Sequence, residues 1–385
     1  SSNWIGMLFR GTMSAMIAMY GDDPELGDME PYFTGAIFKL WAHVSTMGPE
    51  GSYGEPNNYL MSAMHGVGFY GPSLCLNFGI DIADPVVVVN NERIWAGIVR
   101  KGWNFYFGDS GISMAPAGSF AWFAYHQKDP RLAWFIEHLS KTSSREYPSD
   151  SFIFPIDDIP KKDPYGENPV RAFRWDGTTV FKSGWNEDDF VFVMRTGPFV
   201  NHQHIDQGSF WLADRGVLFM KERTGVGYYN NPYYQSSYIQ PVGHSTILID
   251  HNPQSQRIGD RRDFAPGFDD YAYIRMFLDS PHATYSSGDI GRLYWGAVKS
   301  LRRNVLYLKP RTLLMLDTAI PAEKDVDVTL LYQVDFLKNI IPGKELSSIN
   351  NEGNTLCIHH LHPADRVVEA VETPQYSRAA GGTPP

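Results

Sequence analysis

A chain of 385 residues with 43% apolar content can bury a sizeable core without help from disulfides or a metal, and its length favours two domains. Its formal net charge of -10 disfavours a general nucleic-acid role, because proteins that bind polyanions usually present a basic surface. Cys75 and Cys357 lie too far apart to define a disulfide framework, and no run of about 18 apolar residues predicts a membrane span.

Apolar positions recur at three- and four-residue spacing over residues 3 to 20, 30 to 47, 58 to 79, 92 to 106, 117 to 126 and 130 to 141. Breakers such as "YGDDPELGD" and "HQKDPR" separate them, which predicts helices in roughly antiparallel succession. The Pro-, Asp- and Ser-rich stretch at 145 to 169 has no periodicity and reads as a linker packed over the surface. From about 172 the texture changes to short alternating runs, among them "TTVFKSGW", "DFVFVMRTG", "HSTILIDH" and "RRNVLYLKPRTLLMLDTA", which predict an antiparallel β-sandwich. Helices first and sheet second give an α+β chain, with a helical part at 1–144, a linker at 145–171 and a sandwich at 172–385.

The segment "NHQHIDQG" sets His202, His204 and Asp206 two residues apart, so a strand would project all three from one face. Three titratable groups on one face are costly to bury unless they pair or bind something, and both metal ligation and acid–base work favour His with carboxylate. Glu222 and His244 each end an apolar run. Alone they read as ordinary strand-end residues; with Asp206 they make one imidazole and two carboxylates, a set suited to zinc or another divalent ion.

In the helical half, "GPEGSYGEPNNYLMSAM" feeds a loop into a helix and presents Tyr53, Glu55 and Tyr59 at its entry. A phenol is a poor base at neutral pH unless a cationic neighbourhood lowers its pKa. The stretch "GYYNNPYYQSSY" at 227 to 238 offers a second phenol, Tyr234 or Tyr238, or a surface for stacking sugars. Local basicity concentrates at Arg257, Arg261, Arg262, Arg302 and Arg303, which read either as solvated strand-edge residues or as partners for substrate carboxylates and sulfates.

Together these pieces resemble the heparinase II/III-like polysaccharide lyases, which include alginate and glycosaminoglycan lyases. "GPEGSYGEPNNY" is similar to that family's D-G-S-x-x-E-G-x-x-Y loop, "NHQHIDQGSF" to its H-x-H-x-D-x-G-S-F segment, and "GHSTILID" to its H-N-T strand. The resemblance implies an incomplete (α/α) toroid followed by an antiparallel β-sandwich, with β-elimination of an acidic, uronate-containing polysaccharide in the cleft between them. It implies Tyr59 as the catalytic tyrosine and His204 as the histidine facing it, with His202 a close second. Asn3 stands where such lyases hold the uronate carboxylate with an Asn-His pair, although Trp4 follows it here.

Glu55 at the helix entry, Tyr234 and Tyr238 in the tyrosine-rich stretch, and Arg303 among the local arginines are the expected substrate contacts. The resemblance implies Asp206, Glu222 and His244 as ligands of a structural divalent metal, with zinc preferred and no organic cofactor. Glu222 replaces the more usual Asp, and Ser245 the Asn of the H-N-T strand. Alginate is the favoured substrate; a glycosaminoglycan, a uronate C5-epimerase and a non-catalytic polysaccharide-binding protein are the alternatives. The expected compartment is the periplasm or the exterior. A metallo-β-lactamase-like hydrolase shares H-x-H-x-D, but Gln207 stands where its next histidine belongs.

Overall fold

The computed structural model describes residues 3–20, 29–44, 50, 53–82, 98–100, 103–110, 120–142, 154–163, 168–186, 188–199, 202–222, 233–257, 271–334 and 339–371. The described helices are α1 (Asn3–Met19), α2 (Glu30–Val44), α3 (Asn57–Phe78), α4 (Ala121–Gln127) and α5 (Pro130–Thr142). Their apolar stripes meet in one core that includes Met13, Leu40, Leu60, Val67, Phe123 and Phe135. Helices α1 and α3 approach backbone to backbone at Gly6 and Gly66: a Cβ on Gly66 would stand 2.3 Å from the Gly6 carbonyl oxygen. Helix α3 stops at Gly79, whose left-handed φ of +67° lets its amide and that of Ile80 reach the carbonyls of Cys75 and Leu74 at 3.0 and 3.2 Å. Among the described residues, no helix is long and apolar enough to cross a membrane.

The helix expected over 92 to 106 is corrected where the structure describes it. Ile98–Arg100 (β1) and Trp103–Asn104 (β2) pair as short antiparallel strands, and Phe105, Tyr106 and Phe107 continue from them as buried chain. The run "IVRKGWNFYFG" explains this: β-branched and aromatic residues favour extended chain, and Gly102 interrupts any helix. Of the expected linker, 154–163 carries Ile156 and Ile159 into the helical core, while 145–153 and 164–167 lie outside the described residues.

Beyond residue 168 the chain is antiparallel sheet. A five-stranded meander runs in order through β3 (Arg171–Phe173), β4 (Thr178–Lys182), β5 (Val191–Arg195), β6 (Phe210–Asp214) and β7 (Val217–Met220). After β8 (Ile247–Ile249) come β9 (Tyr273–Asp279), β10 (Ala283–Asp289), β11 (Val298–Leu308) and β12 (Thr312–Pro321), a second sheet in the order β12-β11-β10-β9. Strand β13 (Val328–Leu330) pairs with β8, and β14 (Ile340–Ile341), β15 (Leu346–Asn351) and β16 (Asn354–His359) form a third sheet.

The five-stranded sheet is covered on both faces, so β4 and β5 are buried at every position, including the polar Thr178, Thr179 and Lys182 of β4 and Arg195 of β5. Phe181, Phe192, Met194 and Phe210 face Val305 and Tyr307 of β11. Val180, Val193 and Trp211 face Phe105, Tyr106 and Phe107 instead. Trp211 Nε1 donates to the Tyr106 carbonyl (2.7 Å), and the Tyr106 hydroxyl donates to the Glu222 carbonyl (2.9 Å). These bonds fix the 105–107 segment on the sheet, and the next residues, Gly108 and Asp109, reach the loop that precedes β6.

Candidate active site

The segment carrying His202, His204 and Asp206 is not a strand. It is an irregular loop that enters β6 only at Phe210. The Ile205 amide donates to Ile239 (2.8 Å), the Gly208 amide to Arg195 (2.7 Å), and the Ser209 amide turns back onto Asp206 (2.9 Å). His202 sits at φ +62°, a left-handed conformation that costs a β-carbon-bearing residue on the order of 1 kcal/mol or more. The expectation of one shared face is therefore corrected: the two histidines turn to one partner and Asp206 turns to another.

The partner of the histidines is Asp109, in "FYFGDSG", which the sequence reading did not single out. Its Oδ2 lies 3.3 Å from His202 Nδ1, and its Oδ1 lies 2.9 Å from His204 Nε2 and accepts the Tyr234 hydroxyl at 2.6 Å. The Asp109 amide also donates to the His202 carbonyl at 2.8 Å. Burial pushes this carboxyl up, but hydrogen bonds from His202, His204 and Tyr234, with the charge on His204, outweigh it and hold the pKa below the usual carboxylate range. The close approach depends on Gly108, at φ +72°, where a Cβ would stand 2.2 Å from the His202 carbonyl oxygen. A lone Gly-Asp in a loop carries no signal of a site; only the contact between 105–107 and the sheet reveals it.

Tyr59 lies in the first turn of α3, its amide bonded to the Pro56 carbonyl at 2.9 Å. Its ring stacks on His202, with centroids 3.8 Å apart and planes 7° from parallel. Gln203 between the histidines donates to the Gly54 carbonyl, tying the loop to the same helix entry. The His204 ring stands 6.0 Å from Tyr234, edge to face. Asp109 thus bonds His202, His204 and Tyr234, and Tyr59 joins the cluster through its stack on His202.

Other expected substrate contacts fall elsewhere. Arg303 is corrected outright: it is fully buried, and its Nε and Nη2 form two 2.9 Å bonds to Asp317, its direct cross-strand neighbour on β12. Nη1 donates to the carbonyls of Gly208 (2.5 Å) and Ser245 (3.0 Å), so Arg303 braces two loops of the site from beneath. Strand alternation is the reason, since Arg303 shares its face with Leu301, Val305 and Tyr307. Tyr238 is buried with Ile239 and Tyr234, and Glu55 is buried at the helix entry beside Tyr53. Buried side chains do not present a surface to a polymer, which corrects both expectations, and Tyr234, equally buried, meets the site through its hydroxyl on Asp109 rather than as a stacking surface. Arg302 is paired with Asp289 at 3.6 Å. The side chain of Asn3, and Arg261 and Arg262, lie outside the described residues.

Asp206, Glu222 and His244 come together as expected from sequence, each buried, with one ligand atom apiece inside a 4.8 Å span. His244 Nδ1 is hydrogen-bonded to Glu222, which also accepts the Ser209 hydroxyl, and Arg195 Nε lies 3.6 Å from Asp206. Burial pushes the Asp206 carboxyl up, and Glu222 adds to this against the pull of Arg195 and His244. Burial alone would lower the His244 imidazole, but Glu222 and Asp206 hold it above its ordinary value. Asp206 Oδ2 and His244 Nε2 are buried with no hydrogen-bond partner. Orphaned acceptors among paired carboxylates are what a divalent cation would satisfy, so these residues fit a metal. The His204 ring stands 5.2 Å from His244, so the two clusters adjoin.

The family model described as heparinase II/III-like, C-terminal, matches residues 168–349. Among solved structures, the fold is similar to heparan sulfate lyase HepC from Pedobacter heparinus, with 17% identity and a TM-score of 0.67 over 93% of this chain and 52% of that one. It is also similar to a heparinase III, with 12% identity and a TM-score of 0.68 over 93% of this chain and 54% of the other. This chain therefore spans about half the length of these structures. No curated protein matches it by sequence.

Proposed function

From the premise that residues 168–349 belong to the heparinase II/III-like superfamily, we propose that this chain is the catalytic part of a polysaccharide lyase. Its substrate in this reading is a uronate-containing glycosaminoglycan of the heparan sulfate type. The observation that carries the reading is the meeting of Tyr59 from the helical half with His202 from the sheet half. The alginate preference drawn from the motifs gives way to a glycosaminoglycan, because the similar structures are a heparan sulfate lyase and a heparinase III. In this reading the five described helices are an arc of an incomplete (α/α) toroid, and the protein works in the periplasm or outside the cell.

β-Elimination needs a base for the C5 proton of the uronate, proton assistance at the 4-O leaving group, and donors for the carboxylate as it takes on enolate character. Tyr59 is assigned to the leaving oxygen, and also to the base when the C5 proton lies on its side. His204 is the histidine expected to face Tyr59 and act as the base for the opposite epimer; because His202, the close second, is the ring stacked on Tyr59, that base role passes to His202. His204 is the next imidazole in the same cluster, and Tyr234 brings a second phenol from the sheet side. Asn3 is assigned to the substrate carboxylate. Asp206, Glu222 and His244 would hold a structural divalent ion, zinc by the character of the set, whose charge would tie the loop before β6 to those after β7 and before β8.

The test is a panel of heparan sulfate, heparin, chondroitin sulfate and alginate, followed by the ultraviolet absorbance of the unsaturated uronate. Absorbance with heparan sulfate is the expected result. Absorbance with alginate alone overturns the substrate class, and absorbance with none of them overturns the lyase. An epimerase would exchange the C5 proton with solvent and release no such product.

A further inference from the structure

We propose that Asp109 is the positioning residue of this site: one carboxylate that orients His202, His204 and Tyr234 together and fixes which nitrogen of His202 bears the proton. The inference deepens the lyase reading and rests on it for its kinetic consequence. Its structural half stands on the geometry alone.

Asp109 divides its two oxygens unequally. Oδ1 takes His204 Nε2 and the Tyr234 hydroxyl, and Oδ2 takes His202 Nδ1. An ionised carboxylate has no proton to give, so each of these contacts requires the partner to donate. His202 therefore carries a proton on Nδ1, which in the neutral ring leaves the lone pair on Nε2, the form a general base needs. Its ring has two constraints: the Asp109 carboxylate at one edge, and Tyr59 across one face at 3.8 Å. The backbone adds a third, since the Asp109 amide bonds the His202 carbonyl and so supports the left-handed turn at that residue. The same carboxylate accepts the Tyr234 hydroxyl, which fixes that phenol as a donor aimed at Asp109. Asp109 itself need not touch the sugar.

Asp109→Asn separates this role from mere packing. The amide has the carboxylate's shape, but one of its ends is now a donor. With its oxygen retained by His204 and Tyr234, its NH₂ faces His202 Nδ1, and the imidazole must switch its proton to Nε2 to accept. Nitrogen-15 spectra of histidine-labelled protein, assigned with a His202→Asn variant, read this directly. The expected result is an Nδ1–H ring at His202 in the unaltered protein and an Nε2–H ring in Asp109→Asn. A wrong tautomer at a base is expected to lower kcat on the order of 10²- to 10⁴-fold, with KM changed less than threefold.

An unaltered protein whose His202 carries its proton on Nε2 overturns the proposal without any variant, which covers the case where Asp109→Asn does not fold. A kcat within threefold of the unaltered protein also overturns it. If no polymer yields an unsaturated product, the lyase reading fails by itself, and the His202 spectra still decide what Asp109 does.

Discussion

The imidazole of His202 and the phenol of Tyr59 lie in parallel planes 3.8 Å apart, although one belongs to a loop of the sheet and the other to the first turn of α3. The two halves of the chain meet through these rings, and the stack needs only the ring of Tyr59, not its hydroxyl.

That distinction makes Tyr59→Phe informative. Phenylalanine keeps the ring and its contact with His202, so the melting temperature should stay within a few degrees. Losing the hydroxyl should lower kcat on the order of 10²- to 10³-fold on a cleaved polymer, while binding measured by calorimetry changes little. A variant with full turnover would remove Tyr59 from the chemistry.

Arg303 and Asp317 lie opposite each other in the β11–β12 register and share two 2.9 Å hydrogen bonds in the interior. Removing one partner leaves a buried charge without compensation, so Asp317→Ala should cost about 3–5 kcal/mol in urea unfolding. Arg303→Lys should cost a comparable amount, because one ammonium cannot reach Asp317 and the carbonyls of Gly208 and Ser245 together. A loss under about 1 kcal/mol in both variants would contradict this account of the pair.

Arg303 also marks where sequence could have gone further. Leu301, Arg303, Val305 and Tyr307 alternate in "LRRNVLYL", and period-two reading alone places Arg303 inward and Arg302 outward. The helices were legible because their three- and four-residue stripes are long, and the triplet Asp206, Glu222 and His244 was legible by residue type. The 98–107 segment was not: aromatic residues at mixed spacing suit a helix or a buried extended run, and only the far face of the five-stranded sheet decides between them. Asp109 was invisible for the same reason, since its partners lie 93 to 125 residues away.

The Asp206, Glu222 and His244 cluster predicts a melting temperature that depends on metal. An ion that binds only the folded chain stabilises it by about 2.7 kcal/mol at a hundredfold excess over Kd. Chelator-treated protein should melt lower, zinc should restore the difference, and Glu222→Gln should abolish the response. Equal melting temperatures with chelator, zinc, calcium and manganese would exclude a structural ion at these residues.

Lys182, at the end of β4, gives a pH dependence unrelated to the site. It is 3% exposed, with its Nζ 4.7 Å from the centre of the Trp185 ring. Burial lowers its pKa to about 7, against an opposing pull from Asp189. In the unfolded chain the same amine titrates near 10.4, so between pH 7 and that value the unfolded state binds more protons than the folded one. Stability from this residue therefore rises with pH across that window, on the order of 3 kcal/mol between pH 7 and 9.5. The buried phenols of Tyr53, Tyr70, Tyr294 and Tyr307, raised mainly by burial, oppose it only above about pH 10, where the unfolded chain's tyrosines ionise. Urea unfolding at pH 7 and 9.5 of the unaltered protein and of Lys182→Met isolates the effect, because every other group titrates in both. The variant should be the more stable of the two at pH 7, and its advantage should shrink by pH 9.5. An advantage that stays constant with pH would mean that the amine is charged in the folded protein throughout.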